Sequence, residues 1–268
     1  MIKPLFIMGL YGALFCVAEA EESILVTPHR AVYDLQLGYA ADETEILKIS
    51  GRMVYELTGS ACKGYVTRFR LVSRVYTENM PVRLMDRQII HSEAGDGSAF
   101  RFSIAEKMGQ DVLNDVAGIA ERTENGITVK LEKPKIDVYK FAVADFPIMK
   151  LKNIIRQAKS HHRFYYSAIF DGIDMVKESV VIGEKKVQRF DNIKKFEKLD
   201  GESYWPVTIS YFDDTKNTDG LPIRRISFLL YENGITHDLL FDYGSFSVRA
   251  KLNKLEFFDI EKNLDHCQ

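Results

Sequence analysis

Alternation of apolar and polar residues at a period of two, the mark of a strand with one buried face, recurs along nearly all of this 268-residue chain and is interrupted once. Residues 64–77 show it most plainly: Tyr65, Phe69, Leu71 and Val75 fall on one side, Arg68, Arg70 and Arg74 on the other. The interruption lies within residues 145–172. There Ile148, Leu151, Ile154, Ile155 and Ala158 recur at spacings of three and four, which predicts one α-helix over about 147–160. Asp145 is the expected N-cap, and Pro147 suits the first turn, where its missing N–H costs nothing. Lys150, Lys152, Arg156 and Lys159 fall away from the stripe and predict a charged outer face.

Before that helix, the alternation continues through Ala31, Tyr33, Leu35, Leu37 and Tyr39, then through Ile49, Met53, Tyr55 and Leu57, with Gly51 marking a bulge or bend. Further strands are predicted at 82–91, 99–106, 115–122, 127–131 and 136–142. Asp96-Gly97 and Asn125-Gly126 are the turn signals among them. After the helix come 164–170, then 175–182 and 186–196 paired across Gly183. A strand holding Trp205 and Pro206 follows, the proline placing it at an edge or bulge. A hairpin of 223–231 and 235–243 across Asn233-Gly234 and a long closing strand at 246–258 complete the set. The reading is a mainly β chain: a large antiparallel sheet, barrel-like or spiral, with one main helix. So many strands would curl or close to limit their edges. The 17 Phe and 13 Tyr could fill the interior or line a cavity.

Residues 1–20 read as a separate object. Lys3 supplies a positive start, 5–17 is uncharged and apolar, and Ala18-Glu19-Ala20 fits signal peptidase, so cleavage is expected after Ala20. The apolar run is short for a membrane span. The expected mature part, 21–268, then has no linker rich in Pro, Gly or Ser and reads as one exported β-rich domain. Without Cys16, two cysteines remain, Cys62 and Cys267. In an oxidising compartment such a pair is most simply a disulfide; two buried thiols are the alternative. Two sulfurs with His266 fall short of a closed four-ligand metal set.

The formal net charge of -2 argues against a general nucleic-acid binder. No Gly-x-Ser-x-Gly elbow, His-Glu-x-x-His pair or phosphate loop is present, and no cofactor or catalytic residue is assigned. His161 and His162 are adjacent at a helix end, where they do not face the same way, and read as complements to the helix dipole. The candidate binding residues are Lys150, Lys152, Arg156, Lys159 and Arg163, followed by Phe164, Tyr165 and Tyr166. Cations beside aromatics suit an anionic lipid head group, a membrane surface or an acidic polysaccharide; the plainer alternative is a solvated helix face followed by a core strand.

Several segments resemble the EipB family of periplasmic cell-envelope integrity proteins of Gram-negative bacteria. They are HRAVYDLQL from His29, the Gly59 to Gly64 turn around Cys62, Phe146-Pro147, Phe170-Asp171-Gly172, and Trp205-Pro206-Val207 with Ser210-Tyr211-Phe212. Tyr231-Glu232-Asn233-Gly234, DYGSFSVRAKLNKLE from Asp242, and the late Cys267 complete the series in order. A small polar residue would follow Phe146-Pro147 in the family, and this chain has Ile148. The resemblance implies a many-stranded spiral or barrel-like sheet with a disulfide mapping onto Cys62 and Cys267. It also implies a fold similar to lipid- and lipoprotein-handling proteins, and a part in resisting envelope stress without established enzymatic activity. The expected function is therefore non-catalytic maintenance of the envelope by binding a lipid, a lipoprotein or a periplasmic protein. A hydrolase acting on an envelope polymer is the alternative.

Overall fold

In the computed structural model, which describes residues 24–189, 196–213 and 219–258, the alternation becomes a single antiparallel sheet. The first arm runs β1 (His29–Ala40), β2 (Ile46–Ser60), β3 (Gly64–Thr77), β4 (Arg83–Glu93), β5 (Ala99–Met108), β6 (Asp111–Thr123), β7 (Gly126–Lys133) and β8 (Asp137–Phe141). The helix α1 (Pro147–Lys159) follows. The second arm is β9 (Phe164–Phe170), β10 (Met175–Ile182), β11 (Lys186–Val187), β12 (Ser203–Phe212), β13 (Arg224–Tyr231), β14 (Thr236–Asp242) and β15 (Phe246–Phe257). The spatial order is β8-β7-β6-β5-β4-β3-β2-β1-β15-β14-β13-β12-β10-β9, with β11 added beside β12. The strands nearest the two ends of the chain, β1 and β15, thus pair at the centre of the sheet, from His29 opposite Phe257 to Ala40 opposite Phe246.

The two arms curl toward each other, because each carries an apolar inner face that water would otherwise reach. They meet without a full ladder. Asp145, just past β8, makes a parallel bridge to Ile169 of β9: its N–H donates to the Ala168 carbonyl at 2.8 Å, and its carbonyl accepts from Phe170 at 3.0 Å. Aromatic packing does the rest. Phe100 and Phe102 of β5 stand against Phe146 and Phe170, with Phe100 stacked on Phe146 at 5.0 Å and Phe102 edge-on to Phe170 at 5.5 Å. Gly172 lies in this seam at φ +98, and a Cβ there would sit 3.0 Å from Phe102, so both conformation and space call for glycine. The outcome is the expected barrel-like sheet, closed by overlap.

The helix lies inside the curl at one end. It touches β3 and β4 on one side, β10 and β12 on the other, and the β13–β14 turn at its flank through Leu151 and Gly234. Ile148, Ile154, Ile155 and Ala158 join Trp205, Val207, Ile209 and Leu230 in the largest core cluster. On the first arm the outer face is wet, as β3 foretold: Arg68 pairs with Glu56 at 3.5 Å and Arg70 with Asp86 at 3.1 Å.

Several local expectations are corrected. Gly51 makes no bulge; the ladder runs through it in register, and a Cβ would come 2.3 Å from the Val72 carbonyl, so it serves close strand approach. The 175–182 and 186–196 segments do not pair. β10 joins β9 and β12, while Lys186 and Val187 pair with Tyr204 and Ser203; 190–195 lie outside the described residues. Pro206 is in an interior strand. Its carbonyl accepts from Gly183 at 2.7 Å, where the neighbouring strand ends, so its missing N–H falls at that break. The β6–β7 turn is Glu124 and Asn125, with Gly126 already paired to Thr123.

Candidate functional site

The N-cap residue of α1 is Phe146, which offers no side-chain hydrogen bond, so Asp145 is not the N-cap; it accepts from Asn153 at 2.9 Å instead. The cap comes from another element. Glu93, at the end of β4 and 2% exposed, accepts the N–H groups of Ile148 and Met149, both at 2.8 Å. This satisfies two of the orphan donors and sets a carboxylate at the positive end of the helix dipole. Burial pushes the Glu93 carboxyl up to about 7, against the pull of those two N–H groups and of Lys152.

The predicted outer cationic face is corrected at two of its five residues. Lys150 and Lys152 are each only 7% exposed, because the curled sheet covers the helix on more than one side. The Lys150 ammonium donates to Glu178 of β10 and, at 3.1 Å, to the Tyr211 hydroxyl of β12; Ser167 holds the other Glu178 oxygen at 2.7 Å. Such a pair adds little net stability, but breaking it strands a buried charge. Lys152 lies over the Tyr65 ring at 4.5 Å. Arg156 donates to Asn153 at 2.7 Å, Lys159 pairs with Glu232 at 2.7 Å, and Arg163 donates to the Gly183 carbonyl. These five cations build and fasten the plug rather than form one surface. The helix ends at Lys159, so His161 and His162 lie beyond it, and His162 bonds Gln157 at 2.6 Å. Of the rest of the predicted patch, Arg156, Lys159 and Arg163 are half-buried, and Phe164 and Tyr166 are 53% and 75% exposed. Cys62 stands in the turn between β2 and β3; Cys267 and the predicted leader lie outside the described residues.

Beneath the plug the curl is hollow. An inner cavity of about 310 Å³ lies against Pro147 and Leu151 of the helix and is walled by Tyr33, Met53, Ile209 and Phe228. An outer cavity of about 620 Å³ opens at the far end, past Met80, Met85 and Met108. Phe69 and Phe241 line both. The lining is mostly apolar, and methionines at the mouth can repack around differing shapes. Sequence reasoning did not single out this lumen, because its wall is assembled from both arms. The available signal was an arginine at an inward strand position: Arg87 stands opposite Leu71, and Arg224 opposite Tyr211. Among the described residues, no group of three or more His, Cys, Asp or Glu is placed to hold a metal ion, and no helix is long and apolar enough to cross a membrane.

A family model described as EipB-like matches residues 20–259. The chain belongs to the EipB-like family. Its likeness to the cell envelope integrity protein EipB of Brucella abortus (strain 2308) is 40% identity over 263 residues, 97% of this chain and 92% of that protein. A crystal structure of a beta-barrel-like protein from Brucella abortus matches with a TM-score of 0.85 and 40% identity, covering 88% of this chain and 100% of that one. The barrel-like curl of this EipB-like chain is thus shared with a solved structure.

Proposed function

We propose that this EipB-like protein is an exported, periplasmic, non-catalytic protein that maintains the cell envelope by holding an apolar group, the acyl chain of an envelope lipid or lipoprotein, in its lumen. The observation that carries this is the mostly apolar hollow of the curl, plugged by α1 at one end and open at the other. The name of the Brucella relative supports the envelope role, and the exposed Phe164 and Tyr166 suit a brief contact with a membrane surface. A disulfide between Cys62 and Cys267 belongs to the same proposal. It would hold the tail of the chain beside the plugged end.

Native mass spectrometry of protein purified from the periplasm, with organic extraction of bound material, tests the reading. A co-purifying lipid or lipopeptide, lost when Leu71→Lys puts a charge into the lumen, is the expected result. A bare mass that added envelope lipids do not change would overturn it.

A further inference from the structure

The outer lumen is mostly apolar, with polar residues Thr44, Glu45, Ser73 and Thr77 on the β1–β3 side and two arginines from opposite arms. Arg87 of β4 and Arg224 of β13 both line it. Each has a buried Nε that makes no hydrogen bond within the described residues. Their carboxylate neighbours stand too far off for hydrogen bonds: Glu106 is 3.8 Å from Arg87, and Asp171 is 3.8 Å from Arg224. Those carboxylates are also committed elsewhere. Glu106 accepts from Asn114 at 3.0 Å, and Asp171 accepts the N–H groups of Ile173 at 3.0 Å and Asp174 at 3.2 Å. The Arg224 guanidinium lies over the Tyr211 ring at 4.5 Å, which fixes its plane. The two arginines act on one spot: the Tyr243 hydroxyl, raised by burial, is pulled down by both Arg224 and Arg87. Arg83 adds a third cation, and Glu45 and Glu106 are the acidic residues of the lining.

A guanidinium has five donors in a fork that matches a carboxylate or phosphate, and buried donors left unbonded favour an acceptor that arrives with a ligand. We propose that the outer lumen takes a single-chain anionic amphiphile, its acyl chain along Met85, Met108 and Phe241 and its carboxylate or phosphate between Arg87 and Arg224. This rests on the reading of the lumen as a binding cavity. A volume of about 620 Å³ is within the range that encloses most of a small ligand, which favours one chain over two.

Isothermal titration calorimetry with decanoate, decyl phosphate and neutral 1-decanol tests it on the purified protein at neutral pH. At least one anion should bind about tenfold tighter than decanol, and the tighter of the two distinguishes a fatty-acid source from a lysophospholipid source. Arg87→Gln and Arg224→Gln should each erase the preference, and circular dichroism with a melting curve for each variant shows that it is folded. Glu106→Gln, removing the competing carboxylate, should tighten the anion further. Equal affinity for decanol and both anions, or a preference that survives both arginine variants, would overturn the anion site and leave the lumen reading standing. Absence of binding by all three compounds would overturn both.

Discussion

Glu93 carries a carboxylate into the interior so that α1 can begin there, and the same burial makes it titrate near neutrality. Its carboxyl is pushed up to about 7 by burial, with Asp145 adding to the rise and Ile148, Met149 and Lys152 opposing it. An acid whose folded value lies above its unfolded value binds protons more tightly when folded. Its contribution therefore falls as pH rises from about 4.5 to about 7, by about 3 kcal/mol in all. His91 works in the opposite sense. Burial pushes its imidazole down to about 4, so folding is disfavoured as pH falls from 6.5 toward 4; burial lowers His29 as well. The two effects nearly offset each other. The expected outcome is a wild-type melting temperature almost flat between pH 5 and 7, and a Glu93→Gln variant that loses stability on acidification over that window, by about 2 kcal/mol relative to wild type. Thermal unfolding at three pH values reads this directly. Parallel profiles for the two proteins would show that Glu93 does not titrate in that range.

At the level of elements, the seam between the arms is the weakest joint, because one bridge and a group of aromatic rings stand where a ladder would be. Phe170, 2% exposed, sits against Phe100, Phe102 and Phe141. Phe170→Ala should cost about 3–5 kcal/mol through lost burial and the cavity left behind. Hydrogen exchange should show where: amides of β9 and the Asp145 bridge should lose protection well before those of β1 and β2, which pair on both sides. Uniform loss of protection would mean that the arms open only with global unfolding. The elements themselves were largely legible. Period-two alternation located most strands, and the 3.6-residue stripe gave α1 nearly to the residue. What failed around the helix and the lumen shares one cause. The stripe identifies one covered face of a helix, and α1 has more than one, so Lys150 and Lys152 looked solvated. Asp145 looked like the cap because the true one, Glu93, lies 55 residues from the N–H it receives. Arg87 and Arg224 were silent for the same reason, since no local pattern says which inward residues of distant strands will share a wall.

The whole molecule is organised by the pairing of its first and last strands, and this bears on the proposed Cys62–Cys267 bond. His29 of β1 is opposite both Leu57 of β2 and Phe257 of β15. The chain therefore leaves β15 at the end of the sheet where β2 turns toward Cys62, beside the β4–β5 turn, where a Cβ on Gly95 would meet Ala61. Residues beyond Phe258 have only two strand spacings to cross, about 10 Å, and an extended chain of that length reaches about three times as far. Such a bond would close a loop of about 205 residues, for which the chain-entropy account gives at most about 5 kcal/mol. The expected outcome is that Cys62→Ser and Cys267→Ser each lower stability by the same amount, about 3–5 kcal/mol, and that the double variant loses no more, because either change removes the whole cross-link. Reducing agent should bring the wild type to the same melting temperature and leave the variants where they are. Losses that add in the double variant, or a wild type indifferent to reduction, would mean that the two sulfurs act separately and that β1 and β15 alone hold the ends of the chain together.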